Sequence, residues 1–530
     1  MPKPGRLTLS WVGKDQALLN TSTGGYEWVN RDDPRVTEVR LLKKAGRIGT
    51  ELEAGRLENL LITGDSFDAL LALSRTPEYA EKYRGKVKLV YIDPPFNTGQ
   101  AFDHYDDALE HSVWLTMMRD RLLLIRDLLA PDGSVWVHLD DAEMAYCRVL
   151  MDEIFGRSNF VATVVWQKVF SPKNSARHLS VDQDYILVFA KDSEKWNLNG
   201  LPRTEAMDSA YTNPDNDPRG AWTSGDLVAN KPYSLGLYSV VTPSGREIDG
   251  PPAGRYWRVS SDKLHELDND RRVWWGSDRS GVPRLKRFLS EVRDRVPQTL
   301  WLQTEVGHNQ EAKKEIVRMF SESQPFSTPK PERLLKRIIH IATNPGDIVL
   351  DCFGGSGTTA AVAHKMGRRW VTVELEASTV EAFTKPRLEK VVKGEDSGGI
   401  TKSIGWSGGG SFETLLVEPS IYEVADERAF LREGLSAEDF SRSIAAQLGF
   451  VYNQCAPFSG NKGRTRLAVV DGVIDQEVVR ALLGRLDETE RTTIVGRGIE
   501  PEAATFLKQL SPGSRLLKAP RDLIKRGVLR

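Results

Sequence analysis

Residues 87–96 constrain this chain more than any other stretch. The run VKLVYI is apolar but for one lysine, rich in β-branched and aromatic residues, and stops at Asp93-Pro94-Pro95-Phe96. A run of that length and kind suits a strand of parallel sheet buried on both faces. Two consecutive prolines forbid further strand and forbid helix, so they set a stiff turn at the strand's carboxyl end. In open α/β sheets that edge is where ligands bind. The turn offers a carboxylate, backbone carbonyls without competing amides, and a flat ring. That set suits a planar base bearing an exocyclic amine, whose two hydrogens go to the carboxylate and a carbonyl while the ring stacks on its face. Ordinary turn chemistry, with Asp93 capping and Phe96 in the core, uses the same residues. A second motif decides between the two.

Far along the chain, Ile348-Val349-Leu350 reads as a strand. It is followed by Asp351-Cys352-Phe353-Gly354-Gly355-Ser356-Gly357-Thr358-Thr359, a helix through Met366, and a strand from Trp370 to Val373 that ends in Glu374. Strand, glycine-rich turn, helix, strand and acid make the nucleoside-binding half of a doubly wound sheet. Gly355 and Gly357 let the backbone approach the ligand. Glu374 stands 23 residues after Asp351, placed to take two ribose hydroxyls, much as in the dinucleotide fingerprint. The glycine spacing lacks a pyrophosphate seat, and no P-loop lysine follows. A nucleoside without phosphates fits better, and S-adenosyl-L-methionine is one.

The 530 residues allow two or three domains, and 40% hydrophobic with 27% charged residues is a globular balance. The longest apolar runs, such as Leu122 to Ile125, fall far short of a membrane span, and MPKPGRLTLSW lacks the apolar core of a signal peptide. Cys147, Cys352 and Cys455 show no paired metal spacing and make no disulfide framework. A reducing, cytoplasmic setting without a metal is therefore the expectation. The near-zero net charge leaves any polyanion partner to be argued from local charge.

Residues 1–56 read as an arm or cap with a basic patch at Arg40, Lys43, Lys44 and Arg47. The catalytic half, 57–192, begins with a short strand at Leu60-Leu61-Ile62 and a helix from Ser66 to Leu73. Asp65 between them is placed to cap that helix or to reach a ligand. Asn97-Thr98-Gly99 opens a polar loop carrying Phe102, His104 and Tyr105, a candidate lid or a surface loop. Val113 to Leu129 is an amphipathic helix whose Arg119, Arg121 and Arg126 are expected on its wet flank. A turn at Pro131-Asp132-Gly133 precedes a strand from Val135 to Leu139, and further strands fit Val161–Trp166 and Tyr185–Ala190. From 193 to 300 the periodicity fails. Residues 251–300 hold eleven Lys and Arg against seven Asp and Glu, interleaved with tryptophans. An insert of that kind suits phosphates and base edges, with most tryptophans packed inside. Residues 301–405 carry the second motif. Gly408-Gly409-Gly410-Ser411 reads as a linker to a small α/β domain at 412–530, whose basic end is either a solvated face or a docking surface for DNA or protein.

Asp-Pro-Pro-Phe and D-x-F-x-G-x-G in one chain, 258 residues apart with an insert between, resemble the DNA amino-methyltransferases in the order of their β class. VYIDPPFNTG, Thr328-Pro329-Lys330-Pro331 and the WVGKD at 11–15 are most similar to modification subunits of type III restriction–modification systems, over roughly residues 7–405. The resemblance implies an α/β fold: a doubly wound, mostly parallel sheet of the S-adenosylmethionine-dependent methyltransferase kind, with an inserted DNA-recognition region. It implies that Asp93 and the carbonyl of Pro94, held stiff by Pro95, accept hydrogen bonds from the target amine and that Phe96 stacks on the flipped base. Asp351, Phe353, Gly355 and Gly357 form the cofactor turn, and Glu374 holds the ribose. Asp65 lies on the adenine side, and Thr328 and Lys330 lie near the methionine end. Phe96 stands where the family often has Tyr, which keeps stacking and loses a hydroxyl contact. The implied partners are double-stranded DNA, a second copy of the chain, and a restriction subunit with helicase and nuclease activity.

An adenine amine is a poor nucleophile because its lone pair is delocalised into the ring. Two acceptors on its hydrogens pull the nitrogen toward tetrahedral and localise that pair for in-line attack on a sulfonium methyl, a reaction that positioning accelerates greatly. The base is out of reach within a duplex and must leave the stack at a cost of a few kcal/mol. In the family that the chain resembles, an Asp at the first motif position favours N6 of adenine. N4 of cytosine, RNA, and a catalytically silent DNA-specificity subunit are the alternatives.

Overall fold

The run that ends at Asp93 is a strand in the interior of a ten-stranded sheet. The computed structural model describes residues 7–20, 25–50, 58–97, 101–102, 105–106, 110–171, 176–320, 326, 328–425 and 428–523. In chain order the sheet's strands are β1 (Leu42–Gly49), β2 (Asn59–Thr63), β3 (Val87–Ile92), β4 (Leu129–Leu139) and β5 (Phe160–Gln167). They continue as β6 (Gln183–Ala190), β7 (Leu300–Trp301), β8 (Ile348–Asp351), β9 (Arg369–Glu374) and β10 (Ser411–Val417). Across the sheet the order is β7-β5-β6-β4-β3-β8-β9-β2-β10-β1. Every neighbouring pair from β4 to β10 is parallel. β6 runs antiparallel to β4 and β5, and β1 antiparallel to β10. Five of the six β3 side chains, all but Lys88, are at most 1% exposed, as a strand covered on both faces requires.

Helices cover the two faces as separate sets. One set is α1 (Ser66–Arg75), α2 (His111–Leu128) and α3 (Met144–Phe155). The other is α4 (Glu332–Ala342), α5 (Thr358–Lys365) and α6 (Lys385–Lys393). From the adjacent strands β3 and β8 the chain departs in opposite directions, to β4 through α2 and to β9 through α5. Right-handed crossovers then put the two helices on opposite faces and leave a crevice outside the carboxyl ends of β3 and β8. The two motifs therefore share one edge.

Several expectations are corrected. The N-terminal residues are no detached arm: Leu42–Gly49 is the sheet's edge strand, and a hairpin of Gln16–Asn20 and Tyr26–Asn30 packs on α2. Arg40, Lys43, Lys44 and Arg47 form no open basic patch, because each faces a carboxylate (Asp68, Glu418, Glu413, and Glu58 with Glu413). Arg119 and Arg121 are buried rather than wet. Arg119 donates to the carbonyls of Lys14 and Gln16, and Arg121 to Ser66 and Asp65. The accessory domain does not begin at 412, since Ser411–Val417 pairs with both β2 and β1 inside the main sheet. Gly408 and Gly410 are packing glycines, and the stretch is no linker. A Cβ on Gly410 would stand 2.8 Å from the His364 ring, and the Gly409 amide donates to the Val392 carbonyl.

Residues 199–297 form a compact unit of their own. A three-stranded sheet and the helix Ser261–Asn269 enclose Trp257, Leu264, Val273 and Trp275, so these tryptophans pack as expected. Towards the C-terminus a five-stranded sheet carries Ala437–Leu448 against Leu467 and Val495. Gln476–Leu483 and Pro501–Leu510 lie against Ala468 and Ile494, which point to its other face. Arg521 there pairs with Asp522. The loop residues Thr98, Gly99 and His104, and Lys525, Arg526 and Arg530 at the basic end, lie outside the described residues.

Candidate active site

Asp93 stands where β3 stops, and its two carboxylate oxygens have different surroundings. Oδ2 accepts a charge-assisted bond from Lys330 Nζ. Oδ1 is buried and has no donor among the described residues. A buried acceptor without a donor costs about 1–3 kcal/mol, which marks Oδ1 as a place for a ligand's N–H. The Pro95 carbonyl is already taken by the Trp114 indole at 2.7 Å, whereas no described residue donates to the Pro94 carbonyl one position earlier. The Phe96 ring lies nearly parallel to the buried His138 imidazole, with centroids 5.9 Å apart and planes at 19°. Lys330 Nζ stands 5.1 Å from the Phe96 centroid. Asn97 has φ +59° and donates to Glu143 at 2.7 Å, and the same Glu143 oxygen lies 2.8 Å from His111 Nδ1.

Behind Phe96 runs a buried polar chain. Tyr91 Oη is 2.9 Å from His138 Nδ1, His138 Nε2 is 3.2 Å from Asp184, and Lys168 pairs with Asp184 at 2.5 Å. Burial, and then the Lys330 charge, push the His138 pKa down. The ring is therefore neutral, with its proton on Nε2 facing the carboxylate and the Tyr91 hydroxyl donating to Nδ1. Burial opposes ionisation of Asp184, but the hydrogen bond from His138 and the charges of Lys168 and Lys330 outweigh it and hold its pKa low.

At the end of β8 the glycine turn takes the conformation its residues demand. Gly355 and Gly357 have φ +48° and +76°, the left-handed region that favours glycine. A Cβ on Gly354 would meet Thr372 Oγ1 at 2.6 Å. The Gly355 amide donates to Glu374 Oε2 at 2.7 Å and the Glu376 amide to Oε1 at 3.0 Å. Asp351 accepts from the Phe353 amide at 3.0 Å. Burial pushes Asp351 up to about 8 against that bond and one from Thr359, and the charges of Asp93 and Glu374 add to the rise. Asp65 caps α1 through the Phe67 amide at 2.6 Å and receives both Arg121 bonds at 3.0 Å. The Arg121 guanidinium is 6.0 Å from the Phe353 ring, which brings Asp65 beside the turn. Gly64 donates to the Glu374 carbonyl at 2.9 Å.

The edge thus gathers Asp65, Asp351, Phe353, Gly355, Gly357 and Glu374 on one side, and Asp93, Pro94, Pro95 and Phe96 on the other. Carboxylates dominate the first group, and its cation, Arg121, is committed to Asp65, so the donor set suits a cationic nucleoside over a phosphate. Two residues depart from the sequence expectation. Thr328 is exposed, and Lys330 is bonded to Asp93 on the amine side of the crevice. Sequence reasoning missed His138, Lys168, Asp184, Trp114 and Glu143. One signal was available, since His138 interrupts the otherwise apolar VWVHL.

The sequence model of the DNA methylase family matches residues 87–385. The chain is 30% identical over 478 residues to the probable type III restriction-modification enzyme HindVI Mod subunit of Haemophilus influenzae, covering 75% of this chain and 62% of that protein. It is 33% identical over 334 residues to the type III restriction-modification enzyme StyLTI Mod subunit of Salmonella typhimurium, covering 57% of this chain and 49% of that one. The chain therefore spans about half to three fifths of the length of these relatives. Among solved structures, PvuII DNA methyltransferase (cytosine-N4-specific) aligns with a TM-score of 0.34 at 17% identity, covering 63% of this chain and 89% of that one. The family match takes in more than half of the 530 residues, from the strand that ends in Asp93 through the glycine turn and Glu374, and on that match the chain belongs to the DNA methylase family.

Proposed function

We propose that this chain transfers a methyl group from S-adenosyl-L-methionine to the N6 amine of an adenine in duplex DNA, as the modification subunit of a restriction–modification system. The observation that carries the reading is that Asp93 Oδ1 and the Pro94 carbonyl have no donor among the described residues, two acceptors at one strand end for the two hydrogens of one amine. Bound in the crevice, the cofactor supplies an electrophilic methyl on a sulfonium. Asp351, Phe353, Gly355, Gly357, Glu374 and Asp65 would hold it. Asp93 and Pro94 orient the amine, and Phe96, backed by His138, gives the extruded base a flat surface. The Mod subunits to which the chain is similar support the restriction–modification setting, and the aspartate at position 93 supports adenine over cytosine.

The test is tritiated methyl transfer to plasmid DNA followed by nucleoside analysis. Label in N6-methyladenine is expected. Label in N4-methylcytosine would move the reading to cytosine, and no label with well-folded protein would leave only a DNA-binding role.

A second expectation concerns pH. With its pKa near 8, Asp351 is protonated at neutral pH in the free protein, and a cationic ligand beside it favours the carboxylate. Binding then releases a proton, and affinity rises with pH below 8, approaching tenfold per unit. Calorimetry from pH 6 to 7.5 in buffers of different ionisation enthalpy should show close to one proton released by the wild type and none by Asp351→Asn. Equal proton counts for the two would remove Asp351 from the cofactor's contacts.

A further inference from the structure

Lys330 presents a question that the proposed chemistry leaves open: why a lysine sits on the one carboxylate that must receive an amine. Its residue is only 9% exposed, and its ammonium reaches Asp93 Oδ2 across 237 positions of sequence. The backbone that delivers it is stiff. Pro329 and Pro331 flank it, and Pro331 is the N-cap of α4. Glu332, the next residue, is locked by Lys365, Arg387 and the Ile400 amide. The lysine therefore comes from a rod fixed in the core, with little freedom to swing between ligands.

The two oxygens of Asp93 divide the work. A carboxylate about its last torsion has a broad, roughly two-fold preference, so a free Asp93 would present either oxygen to the crevice at varying angles. The bond from Lys330 fixes Oδ2, and it is Oδ1 that stays buried and without a donor among the described residues. Occupation of Oδ2 therefore sets the direction of Oδ1, and nothing has to leave for an amine to bind there. The same ammonium stands 5.1 Å from the Phe96 centroid, within cation–π range, so it also ties the ring to the carboxylate.

We propose that Lys330 is a positioning residue for the target amine: it aims Asp93 Oδ1 and holds Phe96 in register with it, and it does not bind the cofactor. The proposal rests on the methyl-transfer reading above and adds a role for a residue whose sequence context points to the methionine end.

The experiment compares Lys330→Met, which keeps the stem's bulk, and Lys330→Arg, which keeps the charge, with wild type. Binding of S-adenosylhomocysteine by calorimetry should change less than threefold in both. At saturating cofactor and DNA, Lys330→Met should lose at least a hundredfold in kcat, and Lys330→Arg should recover at least tenfold of that. A tenfold loss of S-adenosylhomocysteine affinity with kcat intact would make Lys330 a cofactor ligand and overturn the proposal. A fall in kcat with no rescue by Arg would reduce it to core packing and overturn it equally. Wild type run alongside separates the two claims: no transfer by wild type sinks the function, whereas an active wild type and an equally active Lys330→Met sink only the role of Lys330.

Discussion

Asp93→Ala is expected to abolish methyl transfer, with kcat down by at least about 10³-fold, while S-adenosylhomocysteine binds within threefold of wild type. The size follows from what the side chain does. Removing one preorganised hydrogen-bond partner of a reacting group typically costs about 10²–10³ in kcat. Here the same deletion also removes the group that places the amine against the methyl, a positioning effect that compounds the first. The selectivity for kcat follows from geometry. Asp93 ends β3, whereas the glycine turn is held by β8 and β9 through the bonds of Gly355 and Glu374, which the substitution does not touch. Asp93→Asn should lose nearly as much despite its equal volume, since it replaces an acceptor by a donor facing either the amine or Lys330. Single-turnover kinetics with calorimetry of cofactor binding provide the measurement. Near-normal turnover by Asp93→Ala would remove this carboxylate from the chemistry.

What could be read from the chain without coordinates was the part dictated by local rules. VKLVYI and IVL had to be interior strands, because apolar runs of that length have no other place in a sheet. The proline turn and the glycine turn announce backbone conformations that other residues adopt poorly. That the two lie at neighbouring strand ends followed only from topology, as did the meeting of His138, Lys168 and Asp184, drawn from three different strand ends. Charge was the misleading signal. Arg119 and Arg121 sit at positions that amphipathic spacing assigns to water, yet their partners are carbonyls of a distant hairpin and the cap of another helix. The glycines at 408–410 look like a flexible connector because composition cannot distinguish a glycine needed for freedom from one needed for close packing, as Gly410 is against His364 and Gly408 against Gly394.

The stability counterpart of the Asp93 experiment is Glu332→Ala, expected to cost about 3–5 kcal/mol, the usual penalty for removing one partner of a buried ion pair. Glu332 is 1% exposed and accepts from Lys365 at 2.7 and 2.8 Å, from Arg387 at 2.9 Å and from the Ile400 amide at 3.0 Å. Lys365 keeps a second carboxylate, Asp396, at 2.5 Å. Among the described residues Arg387 makes no other ion pair, and it is itself 1% exposed, so most of the cost falls on this guanidinium. It also bonds Thr358 Oγ1 at 2.8 Å, at the first residue of α5 and the end of the glycine turn. A displaced Arg387 should therefore weaken S-adenosylhomocysteine binding by tenfold or more, and Lys330, two residues before Glu332, should lose part of its fixed reach to Asp93. Glu332→Gln, which keeps one acceptor, should cost less than half as much. Replacing Glu332 and Arg387 together by leucine should return part of the loss, because two apolar groups leave no charge stranded. Denaturant midpoints followed by tryptophan fluorescence measure the first effect and calorimetry the second. A Glu332→Ala variant within 1 kcal/mol of wild type would mean that Arg387 finds another partner, and the link from the start of α4 to the glycine turn would then run through packing alone.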